Sequence, residues 1–374
     1  MRILIINWRS IKDVLEGGAE RATFEFAKRW VSVHGAEVFW LSPKYKNDCV
    51  DETIDGVKFV YVGLPLSRNI FKLMYLFPYF YFSVIFTYFT KFRNKIDIVI
   101  DQVHGIPYLT PLYAVEKKIV YIHEVAGAIW DLMYPFPINL IGRFFERLFF
   151  LPYADIKFIA NSNSTEKDLI EKVKIQNKNI KIINYGVSAP KNELVGIKES
   201  VFTVMYLNRI VKMKGIERGL KSFAKVVKKI PQAKLWVVGT GEQIYLNELK
   251  ILVNELNLAN NVVFKGFVDG KDKFDLLSRS HVLINPSYLE GWGLVNIEAN
   301  RMGTPAVVFN VRGSIDSVVD GVNGNICPND DLDCFSEKII EAGNNDALRK
   351  SAIDYSQKFD WDLQADKFYE ELNN

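Results

Sequence analysis

Cysteine is scarce in this chain. Its 374 residues include three, Cys49, Cys327 and Cys334, with no CxxC spacing among them. Three thiols cannot all pair with one another, and the expectation is free thiols in a reducing compartment. Histidine is nearly as scarce. The four, His34, His104, His123 and His281, form no HxH or HxxxH pair, so no bound metal is expected. Nor is there an excess of one charge: 47 lysines and arginines stand against 44 aspartates and glutamates, a net charge of +3, and bulk electrostatics gives no reason to expect a nucleic-acid partner. The opening stretch, MRILIINWRS, lacks the longer apolar run and small-residue cleavage site of a signal peptide; it reads as a first buried strand, and the chain is expected in the cytoplasm. Low-complexity tracts and short-period repeats are absent. What remains is ordinary globular composition, 49% hydrophobic and 24% charged, in a chain long enough for two domains with cores of their own.

Apolar runs of strand length recur at 3–7, 37–42, 57–62, 96–101, 118–123, 156–161 and 180–184, most of them separated by longer segments of helical spacing. One such segment, ERATFEFAKRWVSV, puts Ala22, Phe26 and Trp30 on one face. Near-continuous Ile/Val runs suit strands covered on both faces. Residues 188–200, SAPKNELVGIKES, have no apolar period and read as an inter-domain linker. The alternation restarts at 202–208, 234–238, 262–267, 282–285 and 306–309. The expected fold class is therefore α/β, with two Rossmann-like, doubly wound domains in tandem facing across a cleft. Ligands of open parallel sheets sit beyond the carboxyl ends of the strands, which puts the expected ligand in that cleft.

Two stretches that follow strand ends carry chemistry. In NRIVKMKGIERGL, Arg209 and Lys214 lie in a strand-to-helix loop and Gly215 opens the helix. Two cations beside a helix N-terminus suit a diphosphate, because the guanidinium grips two oxygens and free backbone N–H groups supply the rest. A basic pair in such a place is, taken alone, more often a solvated loop. In NPSYLEGWGLVNIEANRMGTP, Glu290 and Glu298 bracket Gly291 and Gly293. The glycines are expected to let the loop turn tightly with its N–H groups inward, and the helix is expected to start near Leu294. Eight helical positions span about 12 Å, too far for the two carboxylates to act on one bond as a glycosidase pair. They suit opposite ends of one long ligand rich in hydroxyls, and a sugar nucleotide has that shape. Gly239 and Gly241 in VVGTGEQ form a small-residue turn that would let a ligand approach the backbone, a weaker signal.

EGWGLVNIEANRMGTPAVVFNVRGSIDSVVDGVNG resembles the signature of the retaining glycosyltransferases of family 4, which have the GT-B fold. EGGAERATFEFAKRW resembles that family's Gly-Gly loop, YIHE its central histidine, ANSNSTEKDL and NYGV the end of its N-terminal domain, and LNRIVKMKG its diphosphate clamp. The resemblance implies an acceptor-binding domain over 1–190 and a nucleotide-sugar-binding domain over 200–357; a last helix over about 358–374 is expected to pack back on the first. It implies that Arg209 and Lys214 hold the diphosphate and stabilise the leaving group's charge, that Glu290 holds donor-sugar hydroxyls and Glu298 the ribose, and that the amides from Gly291 through Trp292 and Gly293 to Leu294 touch sugar and phosphate. Gly17 and Gly18 would approach the diphosphate, Val268 the base, and Gly239 the donor; His123 would sit near the reacting carbon, touching the donor sugar with its carbonyl or ring. No cofactor is implied beyond the donor itself, a UDP- or GDP-sugar, and no metal. DDLD at 330–333 reads as the solvated first turn of a late helix, and NST at 163–165 as a helix cap rather than a glycosylation site.

Two aromatic segments bear on the acceptor. Residues 69–95 carry no charge from Leu73 to Thr90 and are flanked by Lys72, Lys91, Arg93 and Lys95; Pro78 would interrupt a helix there, and the flanking strands must stay on one side. Residues 134–153 set Arg143 and Arg147 among phenylalanines. Such segments suit either the headgroup region of a bilayer or an unusually aromatic core. The expectation is a peripheral enzyme on the inner face of the cell membrane, moving a hexose or N-acetylhexosamine to a lipid-linked saccharide or glycolipid in cell-surface polysaccharide assembly. The alternatives are a sugar-nucleotide epimerase or a non-catalytic binder of the same fold. A dehydrogenase is disfavoured, since neither WRSIKDVLEGGAER nor VGTGEQ completes G-x-G-x-x-G.

Overall fold

The computed structural model of the chain describes residues 1–13, 17–65, 70–127, 130, 135–187, 197–268 and 270–374, with backbone alone for 70–75, 77 and 104. Most of the expected linker, residues 188–196, lies outside the described residues, as do Glu16, Asn69 and Tyr134 from the motifs above. The chain divides into two compact units, Met1–Gly186 with Trp361–Asn374, and Val187–Asp360.

The first unit is built on eight strands: β1 (Arg2–Ile6), β2 (Glu37–Pro43), β3 (Glu52–Ile54), β4 (Val57–Val62), β5 (Ile98–His104), β6 (Lys117–Glu124), β7 (Lys157–Ala160) and β8 (Ile180–Ile182), in the order β3-β4-β2-β1-β5-β6-β7-β8. All pairs are parallel except β3 with β4. Ile3, Leu4, Ile5 and Ile6 are fully buried, which is why β1 reads as an unbroken apolar run: both its faces are covered. The sequence pattern missed β3 because ETI is three residues at an antiparallel edge, too short to show a period.

Helix α1 (Gly18–Ser32) buries Ala22, Phe26 and Trp30, the face its spacing predicts. Helix α2 (Ile70–Thr87) continues into a π-helical turn, Tyr88–Phe92. Its inner face packs Phe80, Val84, Tyr88 and Phe92 against Leu4, Ile6 and Val60, while Phe82 and Phe86 are exposed on the other side. Pro78 does not interrupt this helix. It sits on the exposed face, where water can take the carbonyl left without its N–H partner. Helix α3 (Ile138–Phe150) buries Glu146 and Phe150 and leaves Ile141, Phe144, Phe145 and Leu148 exposed. No helix among the described residues is long and apolar enough to cross a membrane. Before the short α4 (Asn163–Asp168), the cap is Ser162, one residue earlier than the NST reading: its hydroxyl accepts the Thr165 N–H.

The second unit has six parallel strands: β9 (Thr203–Leu207), β10 (Lys234–Val238), β11 (Val262–Gly266), β12 (Val282–Asn285), β13 (Ala306–Phe309) and β14 (Gly324–Cys327). Their order is β11-β10-β9-β12-β13-β14. The chain winds outward from β9 in one direction and from β12 in the other, so the β9/β12 junction is the switch point at which such sheets open a ligand crevice. The helices are α5 (Ile216–Lys229), α6 (Gln243–Glu255), α7 (Gly270–Arg279), α8 (Leu294–Arg301), α9 (Ser314–Ser317), α10 (Leu332–Gly343) and α11 (Asp346–Ser356). Strand β14 escaped the sequence reading because GNIC begins with two poor strand formers.

One expectation is corrected here. Cys327, at the end of β14, and Cys334, in the first turn of α10, are joined by a disulfide, their Cα atoms 5.9 Å apart. The strand-to-helix turn brings them within bridging reach. Only Cys49 is free, and it is buried; cysteine usage therefore no longer argues for a reducing compartment.

The last helix, α12 (Trp361–Asn373), belongs to the first unit. Phe368 meets Phe26, Trp30 and Tyr121 edge-on at 5.0–5.3 Å, and Trp30 Nε1 donates to the Ala365 carbonyl. Burying that phenylalanine alone contributes about 1.5–3 kcal/mol.

Candidate functional site

The second unit brings Lys214 and Glu290 together at the β9/β12 switch point. Lys214 ends a 3₁₀ turn, Lys212–Lys214, just beyond β9, and Glu290 lies in the loop after β12. Lys214 Nζ is 2.7 Å from Glu290 Oε2, and both residues are buried. Ser287 Oγ stands 2.7 Å from Glu290 Oε1, and Asn208 Nδ2 donates to the same oxygen at 3.4 Å. Burial alone would raise the Glu290 carboxyl; the Lys214 ammonium and the hydrogen bonds from Lys214, Ser287 and Asn285 outweigh it and hold the group below its usual range. Arg209 is exposed at the end of β9 and forms no ion pair among the described residues.

The loop that carries Glu290 is held by the start of α5. Gly215 has φ +64°, and a Cβ there would stand 1.9 Å from the Pro286 carbonyl oxygen. Backbone meets backbone at that point, so only glycine fits. One turn on, the buried Arg218 donates through Nε to Pro286 O at 2.5 Å and through Nη2 to Ser287 O. Its Nη1 reaches Asn329 Oδ1 at 2.9 Å and Asp330 Oδ1 at 2.8 Å, and its guanidinium lies 3.9 Å from the Tyr288 ring centre and 4.1 Å from that of Phe309. Asp330 is thus a partner for Arg218, Asp331 caps α10 by accepting the Cys334 N–H, and Asp333 pairs with Lys225. On the other side Glu290 N–H donates to Arg312 O, and a Cβ on Gly313 would stand 2.0 Å from Glu290 O. Arg218 and Gly313 were not singled out as site residues from sequence; the only signal for either was a glycine or a cation near a strand end.

The glycines divide by what they approach. Gly293 has φ +79° and caps α8, whose first residue is Leu294; a Cβ would crowd Asn296 and Ser317. Gly291 lies at a bend without a positive φ, so of the two glycines only Gly293 needs a left-handed backbone. A Cβ on Gly239 would meet Asn208 O at 1.8 Å, and one on Gly241 would meet Ile210 O at 2.1 Å. What comes close to that turn is the neighbouring loop's backbone. The Trp292 ring is buried against Phe359, centres 5.0 Å apart, and anchors the loop from within. Glu298, inside α8, pairs with Lys273 of α7 at 2.7 Å. Val268 is partly buried against the cluster that includes Leu207 and Phe274.

In the first unit, Gly17 caps α1, its N–H donating to Glu20 Oε2 at 2.8 Å. A Cβ on Gly18 would meet nothing within 4 Å, and one on Gly17 only the Glu20 carboxylate at 3.5 Å. No packing around either position demands glycine. His123, at the carboxyl end of β6, is buried, with Nδ1 2.6 Å from the Tyr185 hydroxyl and Nε2 3.5 Å from Thr23 Oγ1. Among the described residues, no cluster of histidine, cysteine and carboxylates could hold a metal ion.

Comparison with known proteins follows the same division. Residues 16–189 match the model of the family described as Glycosyltransferase Family 4, and residues 190–359 that of Glycosyl transferases group 1. The chain is 35% identical over 151 residues to a capsular polysaccharide biosynthesis glycosyltransferase of Staphylococcus aureus, covering 40% of this chain and 39% of that one. It is 30% identical over 148 residues to a poly(glycerol-phosphate) alpha-glucosyltransferase of Bacillus subtilis, 39% of this chain and 21% of the other. These matches span well under two thirds of either relative. Among solved structures, sucrose-phosphate synthase from Thermosynechococcus elongatus superposes with a TM-score of 0.80 at 19% identity, covering 99% of this chain and 98% of the other. Anabaena HepE, in complex with UDP and glucose, gives 0.73 at 19% identity over both whole chains.

Proposed function

From the chain's membership in the family 4 glycosyltransferases, with the GT-B fold, we propose that it moves a hexose or N-acetylhexosamine from a UDP- or GDP-sugar to an acceptor hydroxyl with retention at the anomeric carbon and without a metal. The observation that carries the reading is the buried Lys214–Glu290 pair at the β9/β12 switch point. A buried ion pair at a strand end offers a partner to both halves of such a donor: a diphosphate can take the ammonium while sugar hydroxyls take the carboxylate, so that neither charge is left alone. In this reading exposed Arg209 joins Lys214 on the diphosphate, the amides from Gly291 to Leu294 bind sugar and phosphate, Glu298 the ribose and Val268 the base. Gly17 and Gly18 leave room for a phosphate to approach the backbone, which is what their unfilled Cβ positions favour. The C1–O bond to the diphosphate breaks, the acceptor oxygen attacks C1 from the same face, and its proton passes to the departing phosphate oxygen. Arg209 and Lys214 stabilise the charge that grows on the leaving group. No further cofactor takes part.

The acceptor we propose is a lipid-linked saccharide or glycolipid in cell-surface polysaccharide assembly, met at the inner face of the membrane. The exposed aromatic faces of α2 (Phe82, Phe86) and α3 (Phe144, Phe145), the latter beside Arg143 and Arg147, favour this. The protein is expected to sediment with anionic vesicles at low salt. A Phe144→Asp/Phe145→Asp variant is expected to lose about ten-fold in that affinity; no binding by the parent removes the membrane from the account.

Incubation with single nucleotide sugars and lipid extract tests the whole reading. Release of UDP or GDP together with labelled glycolipid supports transfer. Isomerised donor instead supports an epimerase, and neither product contradicts the proposal.

A further inference from the structure

Resting on the reading of Glu298 as the residue that holds the donor's ribose, we infer that Lys273 is a positioning residue for that sugar: it takes one carboxylate oxygen of Glu298, fixes the group, and leaves the other oxygen to accept the ribose hydroxyls. Lys273 stands in the first turn of α7 and Glu298 in the second turn of α8. Lys273 Nζ donates to Glu298 Oε1 at 2.7 Å. Both helices are anchored beside the pair. Phe274 and Leu277 of α7 and Ala299 of α8 are buried in one apolar cluster, and Val268 packs against the same cluster. The ammonium lies 4.5 Å from the Phe274 ring centre, so the lysine stem is held against a fixed side chain. The two partners are 25 positions apart, and no local spacing announces them.

The carboxylate of Glu298 is left with capacity that the Glu290 carboxylate lacks. An ionised carboxylate has about four lone-pair sites. Glu290 has both oxygens met, by Lys214 on one and by Ser287 and Asn208 on the other. Among the described residues, Lys273 is the one donor to Glu298; Oε2 receives no hydrogen bond and is reached by solvent. A vicinal diol brings two O–H donors to such an oxygen, and hydrogen bonds to a charged acceptor are the strong ones. With Lys273 in place the carboxylate is ordered before the nucleotide arrives, so binding does not have to order it. Ribose is then told from a sugar without hydroxyls at these positions by Glu298, and Lys273 sets how sharply.

Titration of the full-length protein with UDP and GDP, and with the 2′,3′-dideoxy form of each, reads this discrimination directly. The parent is expected to bind the ribonucleotide about 10–100-fold tighter than its dideoxy form, the worth of hydroxyls on a charged acceptor. In Lys273→Met the ratio is expected to fall about 3–10-fold, the effect of a side chain that binding must now order, with the dideoxy affinity held within about two-fold. Glu298→Ala is expected to abolish the ratio, and adding Lys273→Met to it to change nothing more, because the lysine acts through the carboxylate. A ratio in Lys273→Met equal to the parent's overturns the inference, and so does a further loss of ratio on adding Lys273→Met to Glu298→Ala. A lower melting temperature with the ratio intact also overturns it and leaves the pair as a brace between α7 and α8. Should Lys273→Met fail to fold, Lys273→Gln, which removes the charge and keeps most of the stem, is read by the same ratio. A parent that binds both forms alike contradicts the reading of Glu298 and the inference with it; discrimination by the parent that Lys273→Met fully keeps contradicts the inference alone.

Discussion

Lys214→Met is expected to lower turnover of the donor by about 10²–10³-fold, because in the proposed reaction it removes a preorganised cation from the place where leaving-group charge would grow. The same change leaves the buried Glu290 carboxylate without its partner, and breaking such a pair costs about 3–5 kcal/mol of stability. Adding Glu290→Gln is expected to recover most of that stability and none of the activity, since the double variant no longer buries a lone charge but still lacks both groups proposed to hold the donor. Melting temperatures and single-donor kinetics on the three variants separate the two effects. The pH dependence has a definite sign. Glu290 is held below its usual range in the folded state, so the stability it contributes is present above its unfolded value of about 4.3 and is lost as pH falls through the lower folded value. The stability gap between Lys214→Met and the parent is therefore expected to narrow below about pH 4. A gap that persists there would mean that the lysine stabilises the fold through something other than this carboxylate.

Gly215→Ala is the second large effect. The added Cβ collides with Pro286 O at 1.9 Å, at a φ of +64° that alanine adopts only at a cost. The β12 loop must move to relieve the collision, and the loop carries Ser287 and Glu290. A displacement of about 1 Å at a reacting site costs on the order of 10²-fold in rate. Both kcat and donor affinity are expected to fall, with a loss of melting temperature. Arg218→Leu should resemble it, since the Pro286 and Ser287 carbonyls lose their donor and Asp330 its cation. Activity retained in Gly215→Ala would show that the loop accommodates the methyl elsewhere and that its position is not set by α5.

The strands that read clearly in the sequence are those buried on both faces, such as β1 and β9, because burial on both sides leaves only apolar residues to see. Edge strand β3 is half-exposed and lacks that pressure, while β14 is buried but opens on glycine and asparagine, so neither left a pattern. Lys214, Glu290 and the start of α8 at Leu294 were legible because charges and glycines after a strand are rare enough to stand out. What holds them was not. Gly215 against Pro286 O, Gly313 against Glu290 O, and the Arg218 fork joining the β12 loop to Asn329 and Asp330 are contacts between segments up to 112 residues apart, and no local spacing encodes them. The bridge between Cys327 and Cys334 was hidden for a related reason. Their seven-residue separation says nothing until the turn into α10 folds them together. Trp292 was expected to lend its amide to the binding loop; that its ring turns inward against Phe359 is a contact no spacing encodes.

Calorimetric titration of UDP and of GDP against the protein tests the central claim, that the end of β9 and the β12 loop form a diphosphate site. The account predicts binding of at least one of them, weakened about 10–100-fold in Lys214→Met and in Arg209→Ala, the worth of one charge-assisted contact. Heat of binding that is absent for both nucleotides, or identical in the parent and both variants, would contradict it.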